Sequence, residues 1–227
     1  MSADQFSDSS LRQTLITKLT TAVVGDILDK LGYHHQFLPQ DVYPLQHGQK
    51  LVGRAFPVWQ EDLGTPTNKP EDRPFGRLFE ALDDLKPGEV YIASGSGAKQ
   101  YALFGGLMST RAKQLKAAGA VLDGYARDAS EIEALGFPVF CRGLYAQDQG
   151  ARGKVTKYRC PIQVGEVKVE PGDLVFADQE GVLIIPQHLE QDAIQRAVDK
   201  ASTENQVERA IKEGMSASEA YVKFGVF

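Results

Sequence analysis

The chain has 227 residues, 42% of them hydrophobic, enough for a full core in one large domain or two small ones. Its 25 basic and 30 acidic residues leave a net charge of -5 without a basic run, which argues against direct binding of nucleic acid. Cys141 and Cys160 are too few for a disulfide framework or a four-cysteine zinc site and point to a reducing, cytoplasmic home, a single bridge staying open; no apolar stretch reaches membrane-spanning length.

Residues 1–10 read as a loose polar lead without the features of a signal peptide. From Leu11 the spacing of Leu, Ile and Val predicts a helical layer that ends at Gly32. "KLVGRAFPVW" reads as a strand, and Glu61 to Gly76, with Pro66, Pro70 and Pro74 among charges, as a long surface loop. A short helix "RLFEALDDL" and a strand "KPGEVYIAS" follow. The turn that opens that strand, Pro87-Gly88-Glu89, is echoed by Pro171-Gly172-Asp173, a likeness too short to be a repeat. Between them lie a helix from Gly105-Gly106 to a stop at Gly119, with Met108, Ala112, Leu115 and Ala118 as its apolar stripe, and a strand "AVLDG". Next come a short helix from Asp128, a strand "PVFCRG" and an irregular stretch up to "PIQVGEVKV". "GVLIIP" is a further buried strand, and a helical segment over 187–227 closes the chain: a long helix from about His188 to Glu213, then a small one with a Ser216/Glu219 capping box. The fold class is α/β with mixed sheets, N-terminal helices and a long C-terminal helix, read as a single domain over 1–227.

Two places in this order could carry chemistry. Glycines at a strand-to-helix junction let the backbone approach a ligand, and the free N–H groups of the next helix favour an anion; the same glycines would also serve tight packing. Arg127 and Asp128 follow the strand "AVLDG", at the end of a strand where α/β sheets tend to place sites. Arginine grips a carboxylate with two prongs and aspartate is a hard-oxygen ligand for Mg2+ or Mn2+, so together they could hold a 2-oxo acid. Asp128 with Glu131 equally fits an N-cap and capping box, and Arg127 a surface ion pair.

The spacing from Gly106 over twenty residues to Arg127-Asp128, then two residues to Glu131, resembles the RraA-like family. So do "AVVGDILDKLG", "LVGRAFPV", "PGEVYIAS", "GFPVFCRG" and "VEPGDLVFADQEGVLIIP". That family includes metal-dependent 4-hydroxy-4-methyl-2-oxoglutarate aldolases, oxaloacetate decarboxylases and a regulator that binds ribonuclease E. The resemblance implies a swivelling β/β/α-type sandwich assembled as a homotrimer with sites between subunits. It implies that Arg127 binds the substrate carboxylate, that Asp128 ligates Mg2+ or Mn2+, and that the backbone of Gly105, Gly106, Leu107 and Met108 closes on the pyruvate portion. On the long helix, Ala197, Ala201, Glu204, Glu208 and Ile211 share a face; two acids on an apolar stripe need a partner, and Glu204 is the first choice to meet the metal's waters in a neighbouring subunit, unless this face simply leaves the core.

The family's aldolases carry an acid where this chain has Gly106, a departure that favours decarboxylation through a pyruvate enolate over aldol cleavage, which needs a base. Asp123, Tyr125 and Tyr101 are conceivable substitutes. The expected function is a divalent-metal-dependent carbon–carbon lyase on short 2-oxo acids; the alternatives are a catalytically weak ribonuclease-binding regulator, or a related lyase of sugar-acid or aromatic catabolism. "GSGAK" is not a P-loop, and the four histidines read as surface residues. Asp178 reads as a turn residue and Cys141 as a buried small hydrophobe.

Overall fold

The structure is a computed structural model describing residues 8–66 and 75–226. Helices α1 (Asp8–Lys18) and α2 (Thr21–Lys30) replace the one continuous helical run from Leu11 to Gly32. Thr20 is extended and its hydroxyl accepts from the Val23 N–H at 3.3 Å, so it caps a second helix. The expected lead lies outside the described residues except for its last three, which belong to α1. Strands β1 (Tyr43–Pro44) and β2 (Leu51–Asp62) follow, β2 running into the expected loop, of which 67–74 lie outside the described residues. Then come β3 (Phe75–Gly76), α3 (Leu78–Asp83), β4 (Glu89–Gly95), β5 (Ala102–Phe104) and α4 (Gly106–Gln114).

α4 stops before Gly119: Leu115 is its C-cap, Lys116 turns left-handed with φ 62°, and Gly119 opens β6 (Gly119–Leu122) instead. β7 (Tyr125–Ala126), α5 (Ala129–Leu135), β8 (Val139–Cys141) and β9 (Gly143–Leu144) follow. The stretch that looked irregular holds β10 (Gly153–Tyr158), ahead of β11 (Ile162–Val164) and β12 (Val167–Val169). β13 (Leu174–Asp178), β14 (Gly181–Ile185), α6 (Glu190–Lys212) and α7 (Ala217–Phe224) complete the order.

Residues 35–187 form one compact unit. Its main sheet is mixed, in the order β1-β8-β6-β4-β2-β10-β3, with β13 also on β2 and β14 on β13. The pairs β2·β4, β4·β6 and β6·β8 are parallel. Alternate residues face opposite sides, and both sides are buried: Tyr91, Ala93, Leu122 and Cys141 enter one core, while Val90, Ile92, Val121 and Phe140 enter the other. The echoed turns lead into the strands on either side of β2, so that Arg54 stands opposite both Glu89 and Leu174. Gly88 and Gly172 adopt φ of 81° and 88° there, a left-handed turn that glycine makes without steric cost.

A small parallel sheet, β5-β7-β9, positions the candidate site. Each of its strands continues from a parallel strand of the main sheet: β4 leads to β5, β6 to β7 across Asp123-Gly124, and β8 to β9 across Arg142. These crossings are braced by charge. The Arg142 side chain, 8% exposed, donates from Nε to Asp123 Oδ1 at 2.7 Å and also pairs with Asp41. Burial works against its charge, but the two carboxylates outweigh that and raise its pKa. The Ser94 hydroxyl, 2.8 Å from Asp123 Oδ2, completes the brace.

The second unit joins Met1–His34 to His188–Phe227. Within it α2 packs against α6, and Lys200 of α6 donates to Asp26 of α2. The α6 stripe buries Ala193, Ile194 and Ala197, then reaches the surface, where Ile211 is exposed. α7 begins with the expected capping box, the Glu219 N–H donating to Ser216 Oγ at 3.3 Å.

Candidate functional site

Because β5, β7 and β9 are parallel neighbours, the residues after each emerge at one edge: Gly105-Gly106 after β5, Arg127-Asp128 after β7, and Tyr145 to Asp148 after β9. The first two groups are those that spacing singled out. They meet directly. The Gly106 N–H donates to Asp128 Oδ2 at 3.0 Å, and a Cβ added to Gly105 would lie 2.7 Å from that oxygen and 3.3 Å from Arg127 Nε. Close backbone approach is therefore what glycine permits here.

Asp128 does not form the expected capping box. It sits in the left-handed region (φ 59°, ψ 40°), a conformation aspartate tolerates better than most residues, and makes no side-chain bond to its own helix. The carboxylate turns instead to the positive end of α4, where the Gly106 N–H holds it. This modifies the expectation for the glycine junction, since that one amide faces Asp128 and not an open ligand space. The next two N–H groups of the turn, on Leu107 and Met108, are those a helix cannot satisfy internally, and they have no partner among the described residues. Leu107 is 86% exposed, so this turn is open.

Arg127 is no simple surface ion pair. Its Nη1 lies 2.9 Å from Asp148 Oδ1, and its Nε 3.6 Å from Asp128 Oδ2. Asp148 is itself fixed: its Oδ2 accepts from the Gly150 N–H at 2.8 Å, and its carbonyl accepts from Arg152 Nη1 at 3.1 Å. Beside these groups opens a cleft of about 330 Å³ walled by Arg127, Asp128, Ala129, Leu144 and Tyr145. An adjoining cleft of about 280 Å³ shares Leu144 and Tyr145 and extends to Lys99, Gln100 and Tyr125. Tyr125 and Tyr145 meet edge-to-face at 5.6 Å between centroids, and Tyr145 lines both spaces.

Sequence reasoning missed Tyr145 and Asp148. They follow a strand only two residues long, in a loop without periodicity, and pairing with distant segments brings them here, β9 on β7 and Asp148 on Ala102. Of the substitutes for an acid at position 106, Asp123 is held by Arg142 and Ser94, and Tyr101 is fully buried, which raises its hydroxyl pKa; Tyr125 alone lines a cleft. Glu204, on α6, lies 3.2 Å from Lys200 Nζ, and Glu208 is 2.6 Å from Lys212 Nζ, so both acids find a partner on their own helix. Asp178 accepts from the Glu180 N–H at 3.0 Å, the expected turn role, and Cys141 is buried, which raises its thiol pKa. The four histidines are exposed. No helix among the described residues is long and apolar enough to cross a membrane.

Comparison with known proteins gives four findings. The RraA-like family model, described as Aldolase/RraA, matches residues 21–184. A protein of Halalkalibacterium halodurans, provisionally named 4-hydroxy-4-methyl-2-oxoglutarate aldolase, is 30% identical over 210 residues, covering 92% of this chain and 93% of that protein. Protein DlpA of Legionella pneumophila is 28% identical over 214 residues, but the match spans 93% of this chain and only 33% of DlpA. Among solved structures, Streptomyces coelicolor RraAS2, described as an unusual member of the RNase ES inhibitor RraA family, superposes with a TM-score of 0.76 at 25% identity, covering 90% of this chain and 98% of that one.

Proposed function

The chain belongs to the RraA-like family, and on that premise we propose that it is a divalent-metal-dependent carbon–carbon lyase acting on short 2-oxo acids. The type is oxaloacetate decarboxylase or 4-hydroxy-4-methyl-2-oxoglutarate aldolase. One observation carries the reading: the Asp128 carboxylate lies between the first turn of α4, with its open Leu107 and Met108 N–H groups, and the Arg127 guanidinium, at the mouth of a cleft.

The Asp128 carboxylate is the group here that would take a cation. Among the described residues no three His, Cys, Asp or Glu side chains are grouped to hold a metal. Mg2+ suits such a site, since it keeps several waters and takes one or two carboxylates plus ligand oxygens; Mn2+ is the alternative. When bound, the cation would draw electron density from the 2-oxo oxygen, which lowers the cost of the oxyanion that carbon–carbon cleavage leaves. Asp128 would hold it, oriented by the Gly106 N–H. Arg127 would take the ligand carboxylate on the guanidinium edge away from Asp148, and the Leu107 and Met108 N–H groups would steady the oxygens of the pyruvate portion.

The assay is pyruvate release from oxaloacetate and from 4-hydroxy-4-methyl-2-oxoglutarate, with and without chelator, corrected for the reaction of free metal ions. Wild type should depend on added Mg2+ or Mn2+, and Arg127→Ala should lose on the order of 100-fold or more in kcat/KM. Equal rates for the two proteins would remove the proposal. The proposed assembly is a homotrimer in the cytoplasm, in which Glu204 of a neighbouring copy would reach the metal's water shell; Glu204→Ala should then weaken Mn2+ binding only in the assembled form. A ribonuclease-binding regulator is the second reading, favoured by the likeness to RraAS2. It requires neither the Arg127-Asp128 pair nor an open helix turn beside it.

A further inference from the structure

A third cleft, of about 270 Å³, adjoins the two described above and is walled by Asp62, Gln100, Gln147 and Arg152. Tyr145 lines all three, so they ring one aromatic side chain. Asp148 ties this cleft to Arg127: its carboxylate pairs with Arg127 Nη1, and its carbonyl accepts from Arg152 Nη1 at 3.1 Å. A single residue thus bridges the two guanidiniums, and a ligand held by its carboxylate at Arg127 can extend past Tyr145 toward Arg152.

Polar groups without partners lie under this cleft. Gln60, Tyr101 and Gln149 are 2%, 0% and 3% exposed, and among the described residues Gln60 Nε2, Tyr101 Oη and both amide atoms of Gln149 have no hydrogen-bond partner. Gln60 shares a face of β2 with Asp62, since strand residues two apart point the same way. Its Nε2 and Tyr101 Oη converge over Gly153, next to Arg152: a Cβ built there would fall 2.7 Å from the first and 2.0 Å from the second. The Tyr101 ring is locked in the core, so glycine at 153 is what leaves room for its hydroxyl. The Gln149 carbonyl accepts from the Gly153 N–H at 2.8 Å, which ties the third side chain to the same place. Buried amides and hydroxyls are costly to leave unpaired, so this group calls for a guest.

The chemistry of the guest follows from the set. A carboxylate is matched by donors alone and would be repelled by Asp62, whereas a hydroxyl both donates and accepts, as do the glutamine amides and the tyrosine hydroxyl taken together. Resting on the lyase reading, we infer that this cleft is a specificity subsite for a polyhydroxylated tail, which makes 3-deoxy-2-oxo sugar acids the substrate class. Arg127 takes the carboxylate, and the tail hydroxyls meet Gln100, Gln147 and Arg152 at the rim and Tyr101 and Gln149 beneath. The buried atoms are closed to solvent, so the rim side chains shift as the tail enters, a common adjustment on binding. Cleavage breaks the C3–C4 bond of such an acid: the electron pair stays on C3 as the enolate, the C4 hydroxyl loses its proton to become the aldehyde carbonyl, and C3 takes up a proton to give pyruvate.

The test is pyruvate release by full-length protein with added Mg2+. The substrates are 2-oxo-3-deoxy-D-gluconate, its galactonate isomer and 4-hydroxy-2-oxopentanoate, which has the same reacting carbons and no polar tail. Wild type should favour the better sugar acid by about 100-fold or more in kcat/KM. That preference should fall about 3- to 10-fold in Gln100→Leu, at the exposed rim, and about 10-fold or more in Tyr101→Phe. Without ligand, Tyr101→Phe should melt no lower than wild type, because the hydroxyl it removes has no partner. A fall of more than about 4 °C assigns that hydroxyl to the fold and overturns the inference. So does a preference unmoved in both variants, or a wild type that cleaves 4-hydroxy-2-oxopentanoate as well as either sugar acid; the lyase reading then stands. If no substrate yields pyruvate, oxaloacetate included, the lyase reading fails and this inference falls with it.

Discussion

Replacing Asp148 by alanine separates an orienting role from a structural one. The Arg127 and Asp148 side chains are 38% and 40% exposed and pair at 2.9 Å. Solvent screens a pair this open, so its contribution to stability is about 0.2–1 kcal/mol. In a chain of this size that corresponds to a melting shift of no more than about 4 °C. Ligand binding should respond more. Asp148 pins one edge of the guanidinium from a loop that is itself held through Gly150 and Arg152, and a freed arginine recovers rotamer entropy on the order of 1–2 kcal/mol that the ligand must then suppress. The expected result is a rise of about 10-fold in KM with kcat nearly constant. Asp148→Asn, which keeps an oxygen for the Gly150 N–H, should fall between alanine and wild type. Steady-state kinetics with thermal melts on the same preparations decides the matter. A fall in melting temperature of about 10 °C or more, or an unchanged KM, would refute the argument.

Three further outcomes follow from the charged and buried groups. Arg142→Met strips the partner from Asp123, whose side chain is only 15% exposed, and should cost about 3–5 kcal/mol in denaturant unfolding, with Arg142→Met/Asp123→Leu less destabilised than the single variant. Hydrogen bonds from Arg159 and then Lys86 hold the Asp84 carboxyl below its ordinary value, so its stabilisation is present above the unfolded value of about 3.9 and is lost as pH falls through the lower folded value. Acid unfolding of Asp84→Asn should accordingly be shallower than wild type below about pH 4. Cys141 should resist thiol reagents in the folded protein and react on unfolding, since burial raises its pKa and hides it.

What the sequence disclosed about the site was whatever chain-local chemistry could carry. Two glycines before a helix and an Arg-Asp pair after a strand marked the candidates, the resemblance of their spacing to the RraA-like family placed Gly105, Gly106, Arg127 and Asp128 in one site, and they do meet. The roles were harder. Asp128 followed three residues later by Glu131 has the pattern of a capping box, but the left-handed backbone at Asp128 aims its carboxylate at α4, a contact between positions 22 apart. Asp148 was invisible for a related reason: β9 is too short for a pattern of alternation, and its neighbour β7 is set by parallel pairing across a small sheet. The main strands were legible because burial on both faces makes them apolar throughout. β10 was not, since "GKVTKY" buries only Gly153 and Val155 and reads as a polar loop.

Position 106 shows how a departure from a motif sits among its neighbours in the fold. Taken alone, glycine there means that a carboxylate is missing, and the chemistry then leans toward decarboxylation. In the folded chain the volume beside Gly106 already holds the Glu131 carboxylate, delivered from the neighbouring helix. A side chain at 106 would have to displace the end of Glu131, so the two positions are coupled through the packing of α4 on α5.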